Sequence, residues 1–134
     1  MVIMMDAEIL DNYRKAGRIL AEVLQEAKPK VDVGVPLLEV AEFVEEAIRS
    51  KGGLPAFPCN ISLDRSAAHY TPSPKDESVF AENMVKLDVG VHVDGYIADA
   101  SITIDLSGHE DLALASQAGL DAALELVGPG VSTA

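Results

Sequence analysis

Cysteine is almost absent from this 134-residue sequence, and the single Cys59 excludes an intrachain disulfide and fits a reducing compartment. With no Cys/His pattern around it, Cys59 reads as a small buried hydrophobe. Basic residues are scarce as well. Ten Lys and Arg stand against 22 Asp and Glu, a net charge of −12 that argues against nucleic acid and anionic membrane surfaces as partners. Cations or basic peptides suit it better. No apolar run approaches the length needed to span a bilayer. The opening Met-Val-Ile-Met-Met-Asp lacks both the basic flank and the apolar length of a secretory signal. These absences point to a cytoplasmic protein. Against them stands an apolar content of 49%, enough for one domain with a real core.

The most informative stretch runs from Val85 to Ile104. Val85 to Val93 and Tyr96 to Ile104 are rich in β-branched residues, and Asp94-Gly95 between them is a strong two-residue turn signal, so the stretch predicts a hairpin. That turn sets Val93 opposite Tyr96, His92 opposite Ile97, Gly90 opposite Asp99 and Asp88 opposite Ser101. Side chains alternate along a strand, so Asp88, Gly90, His92, Ile97, Asp99 and Ser101 share one face. Val89, Val91, Val93, Tyr96, Ala98 and Ala100 share the other, an apolar surface fit to pack on helices. Asp is depleted in strands, and two of them flanked by apolar residues need a reason. Either both are solvated on an exposed sheet face, or they share cations. As diagonal neighbours they can hold a hard divalent ion, and Gly90 opposite Asp99 would leave it room.

Elsewhere the pattern is helical. Asp6 can cap a helix reaching about Ala27, with Ile9, Leu10, Tyr13, Ala16, Gly17, Leu20, Val23, Leu24 and Ala27 as its stripe and Pro29 as its stop. Pro36 opens a second helix as its first residue, carried by Leu37, Val40, Ala41, Val44, Ala47 and Ile48 and ended by Gly52-Gly53, with Glu39, Glu42, Glu45 and Glu46 on a solvated face. From Leu54 to Asn83 prolines interrupt any regularity, leaving short β-like runs at Phe57 to Leu63 and Ala67 to Tyr70. After the hairpin, His109-Glu110-Asp111 starts a third helix, with Leu112, Ala115, Gly119, Ala122, Ala123 and Leu126 as its apolar side and Gly128-Pro129-Gly130 as its end. Pro129 and Val131 then begin a connector like that around Pro29, which predicts a second α–α unit beyond residue 134 and a portion of something larger.

Three motifs in order, Phe57-Pro58-Cys59-Asn60-Ile61-Ser62-Leu63, Ala67-Ala68-His69-Tyr70-Thr71-Pro72 and Leu87-Asp88-Val89-Gly90-Val91-His92-Val93-Asp94-Gly95-Tyr96-Ile97-Ala98-Asp99, resemble the N-terminal half of type 2, archaeal-like methionine aminopeptidases. The resemblance covers nearly the whole chain. It implies an α+β architecture for residues 1–134, half of the pita-bread fold, with helices packed on a curved antiparallel sheet. It further implies that Asp88 binds one metal ion through both oxygens, that Asp99 bridges two ions, and that His69 contacts the substrate near the scissile carbonyl. Phe57, Pro58 and Asn60 would form one wall of the pocket for the N-terminal methionine. Without the motif, His69 would read as a loop histidine near water. His92 is not a ligand position in the family. Asp64-Arg65-Ser66 departs from the usual wording just before the segment that carries His69.

The family's remaining ligands, one histidine and two glutamates, belong to a C-terminal half that these residues do not include. The implied function is therefore metal-dependent removal of N-terminal methionine from peptides, with Co, Mn, Fe or Zn as the ion. The chain alone would be inactive, and a complementing C-terminal half or a homodimer would be its partner. The alternative is a half-domain, natural or engineered, that self-associates or binds a partner without catalysis.

Overall fold

The computed structural model describes residues 5–132; the opening Met1 to Met4 and the closing Thr133 and Ala134, with the readings that fall on them, lie outside that range. Helix α1 spans Ala7–Ala27, and the Asp6 carboxylate accepts from the Glu8 amide to cap it. Ala16, Ile19, Leu20, Val23, Leu24 and Ala27 are its buried stripe, whereas Leu10 and Tyr13 near its start stay exposed. Tyr13 instead meets Tyr96 edge-on, with ring centroids 5.3 Å apart. A short 3-10 turn at Lys28–Lys30, containing Pro29, closes this helix.

Helix α2 spans Leu37–Ser50 and buries all six residues of the expected stripe. Pro36 caps this helix rather than opening it: its ψ of 136° is extended, and it forms a β-bridge with Val79.

The sheet is built on one strand. Strand β3 (Met84–Val93) carries β1 (Leu54–Pro55) and β2 (Asn60–Leu63) antiparallel on one side and β4 (Tyr96–Asp105) along its whole length on the other. Asp94 and Gly95 have φ of 51° and 86°, as a primed two-residue turn requires. The register is the expected one, with Val93 facing Tyr96, Gly90 facing Asp99 and Asp88 facing Ser101. Burial alternates along both strands. Val85, Leu87, Val89, Val91 and Val93 are buried with Ile61 in the core formed with α1 and α2, and Lys86, Asp88 and His92 are only partly covered.

One expected strand does not form. Ala67 to Tyr70 forms no strand; His69 has φ of 66°, which breaks any extended run, although Tyr70 still returns a backbone bond to Ile61 (2.7 Å). Helix α3 spans Glu110–Leu126 as its periodicity predicts, yet none of its residues is buried. Leu112 is 61% and Leu126 71% exposed, so the stripe has formed without a covering surface among the described residues.

Candidate functional site

The register puts Asp88 and Asp99 on the face of the sheet turned away from α1 and α2. With Ser62, Ala67, Ala68, Lys86 and Ser101 they line an open cleft of about 430 Å³. Neither carboxylate is ion-paired with a lysine or arginine among the described residues. Partial desolvation, and then the neighbouring Asp88 carboxylate, push the Asp99 carboxyl above its ordinary value of 3.8. Two unpaired acids held this way can accept a hard cation, which relieves their repulsion. Their fit to such an ion is partial, because no three His, Cys, Asp or Glu side chains converge among the described residues.

Asn60 is buried and pairs with Asp88 across β2 and β3. Its amide Nδ2 donates to Asp88 Oδ2 at 3.5 Å, while its Oδ1 accepts from the Thr71 hydroxyl at 2.7 Å. The amide that was expected to line a pocket is thus also the link between the Asp88 carboxylate and the loop after His69. Sequence periodicity holds no signal for such a bridge, because Thr71 lies in an irregular segment.

His69 is exposed at the rim. Its neighbours Ala67 and Ala68 reach the cleft, but its own side chain is not among the lining residues. The segment is tied back to β2, with the Tyr70 amide donating to Ser62 Oγ (3.3 Å) and the Ile61 amide donating to the Tyr70 carbonyl. The left-handed backbone at His69 is sparsely populated for a residue with a side chain, a kind of strain found at functional sites.

The unusual Asp64-Arg65-Ser66 turn is firmly held. Asp64 (φ 48°) accepts from Asn83 Nδ2 at 2.7 Å and from the Met84 amide at 2.9 Å, and its carbonyl accepts from Lys86 Nζ at 2.6 Å. Lys86 was missed in the sequence, although two residues before Asp88 on the same strand it necessarily shares its face.

Phe57 and Pro58 line a separate depression of about 450 Å³ with Glu45, Arg49, Leu54 and His92. His92 has a structural duty there, since its Nδ1 accepts from the Gly95 amide of the hairpin turn (3.2 Å). The expected ion space above Gly90 is not open. A Cβ built on Gly90 would lie 2.3 Å from Phe57 Cε1, so the phenyl ring already occupies it.

The profile of the metallopeptidase family M24 matches residues 11–134. The chain belongs to that family. It is 50% identical over 129 residues to the methionine aminopeptidase of Archaeoglobus fulgidus, covering 96% of this chain and 44% of that enzyme. It is also 50% identical over 127 residues to the one of Methanocaldococcus jannaschii, covering 93% and 43%. The chain therefore spans under half the length of the curated relatives it matches, and corresponds to their N-terminal half. Among solved structures, the methionine aminopeptidase of Thermotoga maritima superposes with a TM-score of 0.87 at 23% identity, over 98% of this chain and 57% of that one. A prolidase from Pyrococcus horikoshii superposes at 0.76 and 22% identity, over 93% and 37%. The fold of this M24 chain is thus part of the pita-bread fold, as expected, and membership of a metallopeptidase family implies use of divalent metal. No helix among the described residues is long and apolar enough to cross a membrane.

Proposed function

We propose that residues 1–134 form one half of a pita-bread domain and supply the N-terminal part of a dinuclear-metal methionine aminopeptidase site. The observation that carries this is the pair Asp88 and Asp99, which share one face and have no basic partner among the described residues, in a chain half-identical to methionine aminopeptidases. Asp88 and Asp99 would hold Co, Mn, Fe or Zn, and such a pair of ions supplies a nucleophilic water and a polarised carbonyl when bound. The residues of this chain do the rest. Asn60 orients the Asp88 carboxylate, much as outer partners orient ligands in other metal sites. Phe57 and Pro58 offer apolar surface to a methionine side chain, and His69 overlooks the cleft from a strained loop where it can meet a peptide carbonyl.

Two carboxylates leave most positions of any metal open, so on this reading the chain alone is inactive and needs a complementing C-terminal half. The sole cysteine, buried and reduced, agrees with a cytoplasmic location. The test is release of methionine from a Met-Ala-Ser peptide with Co²⁺ or Mn²⁺, using the chain alone and mixed with the C-terminal half of the Archaeoglobus fulgidus enzyme. Release only in the mixture, abolished by Asp99→Ala, is expected. Release that survives Asp99→Ala would overturn the reading.

A second reading has its own observation. The exposed leucines 112, 120, 124 and 126 of α3 favour a half-domain that self-associates as a homodimer or binds a partner without catalysis. Sedimentation with and without metal separates the two, because only the catalytic reading ties assembly to the Asp88–Asp99 face.

A further inference from the structure

Gly90 lies in the middle of β3, a place where glycine is unfavourable by roughly 0.5–1 kcal/mol relative to alanine because it gives up more chain entropy. Nothing in its backbone calls for it. Gly90 is not among the positive-φ glycines, and a strand conformation is open to any residue. The reason lies in front of it: a Cβ at this position would meet Phe57 Cε1, Cδ1 and Cζ at 2.3, 2.7 and 2.8 Å. The phenyl ring rests directly on the bare strand. The Gly90 carbonyl also accepts from the Ala56 amide at 2.9 Å, so one glycine anchors both the backbone before Phe57 and the ring itself.

This contact sits between two features of the site. Gly90 faces Asp99 across the hairpin and lies two residues from both Asp88 and His92, while Phe57 and His92 line the depression of about 450 Å³. We propose that Gly90 is a specificity-determining position: by letting the Phe57 ring lie directly against β3, it sets the depth of the Phe57–Pro58 side of this depression beside the carboxylate pair. This deepens the aminopeptidase reading and rests on it. Any side chain at 90 pushes the ring outward by about 1 Å before ordinary carbon contact near 3.5 Å returns. Phe57 lines the depression, so a ring displaced away from β3 makes the subsite shallower. A long unbranched side chain such as methionine then loses contact that a short one such as alanine never made.

The test compares L-methioninamide with L-alaninamide by NMR titration of the whole chain in the presence of Zn²⁺. Gly90→Ala should cut the preference for methioninamide roughly ten-fold, the worth of a methylene or more in an apolar pocket. Gly90→Ala with Phe57→Leu, where the smaller side chain makes room for the new methyl, should recover part of the preference; a merely structural role for glycine would show no such rescue. A readout without ligand stands behind these. A ring held against a glycine displaces its α-proton shifts, so the Gly90 α-protons should lie away from ordinary strand positions in the unaltered chain and return to them in Phe57→Leu. An unchanged preference in Gly90→Ala, or Gly90 α-protons at ordinary positions, would overturn the role of Gly90 alone. Failure of the unaltered chain to bind methioninamide at all, with the ring-induced shift present, would overturn the subsite, whereas the aminopeptidase reading falls if the mixture with the C-terminal half releases no methionine.

Discussion

Replacing Asp99 with asparagine keeps the shape of the side chain and removes one of two like charges held diagonally across β3 and β4. Diagonal positions on an antiparallel pair are roughly 7–8 Å apart. The carboxylate tips reach closer than the backbone, within hydrogen-bonding range of each other, and at about 4 Å in a water-like dielectric, as suits an exposed group, the repulsion is about 1 kcal/mol. Asp99→Asn should therefore raise the melting temperature of the metal-free chain, by roughly 3–6 °C. Metal reverses the order. At a hundred times its dissociation constant, Mn²⁺ adds about 2.7 kcal/mol to the unaltered chain and much less to the variant, which has lost a ligand. The pH dependence has a definite sign. The folded-state value of Asp99 is raised above 3.8, so its favourable contribution is complete below that value and is lost as pH rises through the raised one. The metal-free advantage of Asp99→Asn should accordingly vanish at low pH and grow toward neutrality. Thermal melts at several pH values, with and without MnCl₂, read all of this. A variant that is less stable without metal and equally stabilised by it would refute the reasoning.

Other consequences are simpler to check. Leu87 is fully buried at the centre of β3, so Leu87→Ala should lower stability by about 2–5 kcal/mol in urea titrations. Burial, with Glu45 and Asp88 nearby, pushes the Cys59 thiol up to about 12, so a thiol reagent at pH 8 should react only at the rate at which the chain opens. The Met84 amide and the Asn83 side chain hold the Asp64 carboxyl below its usual range, and this support is present above pH 3.8 and lost as pH falls through the lowered value. Asp64→Ala should speed hydrogen exchange at Met84 at neutral pH while leaving exchange in the core of β3 unchanged.

The hairpin was legible because two adjacent residues determine it. Asp94-Gly95 selects the turn, the turn selects the pairing, and the period of two then puts Asp88 and Asp99 on one face with no further information. Helix α2 was legible for a similar reason, since every residue of its stripe is buried, chiefly against α1 and the short strands β1 and β2. Helix α3 shows the limit of that logic: periodicity states which side can be buried, and for Leu112 and Leu126 no covering surface stands among the described residues. In α1 the stripe included Leu10 and Tyr13 and omitted Ile19, because the spacing carries no record of how far the sheet extends beneath the first turns.

Site details were lost where they depend on residues far apart in the chain. Gly90 was read as space for an ion, yet that space is taken by a ring 33 positions earlier, in a stretch with no periodic signal. Asn60 was read as pocket wall, and its amide turned out to join Asp88 to Thr71. Lys86 was the avoidable omission, since the same alternation that aligned Asp88 also aligned it.

On this acidic chain, Asp88 and Asp99 are proposed to form the cation site. Paramagnetic broadening of the backbone amide spectrum by substoichiometric Mn²⁺ tests it most directly. Loss of signal centred on Asp88, Asp99, Ala68 and Ser101, and its disappearance in Asp88→Ala, is expected. Broadening spread over Glu39, Glu42 and Glu46 of α2, with the hairpin unaffected, would contradict it.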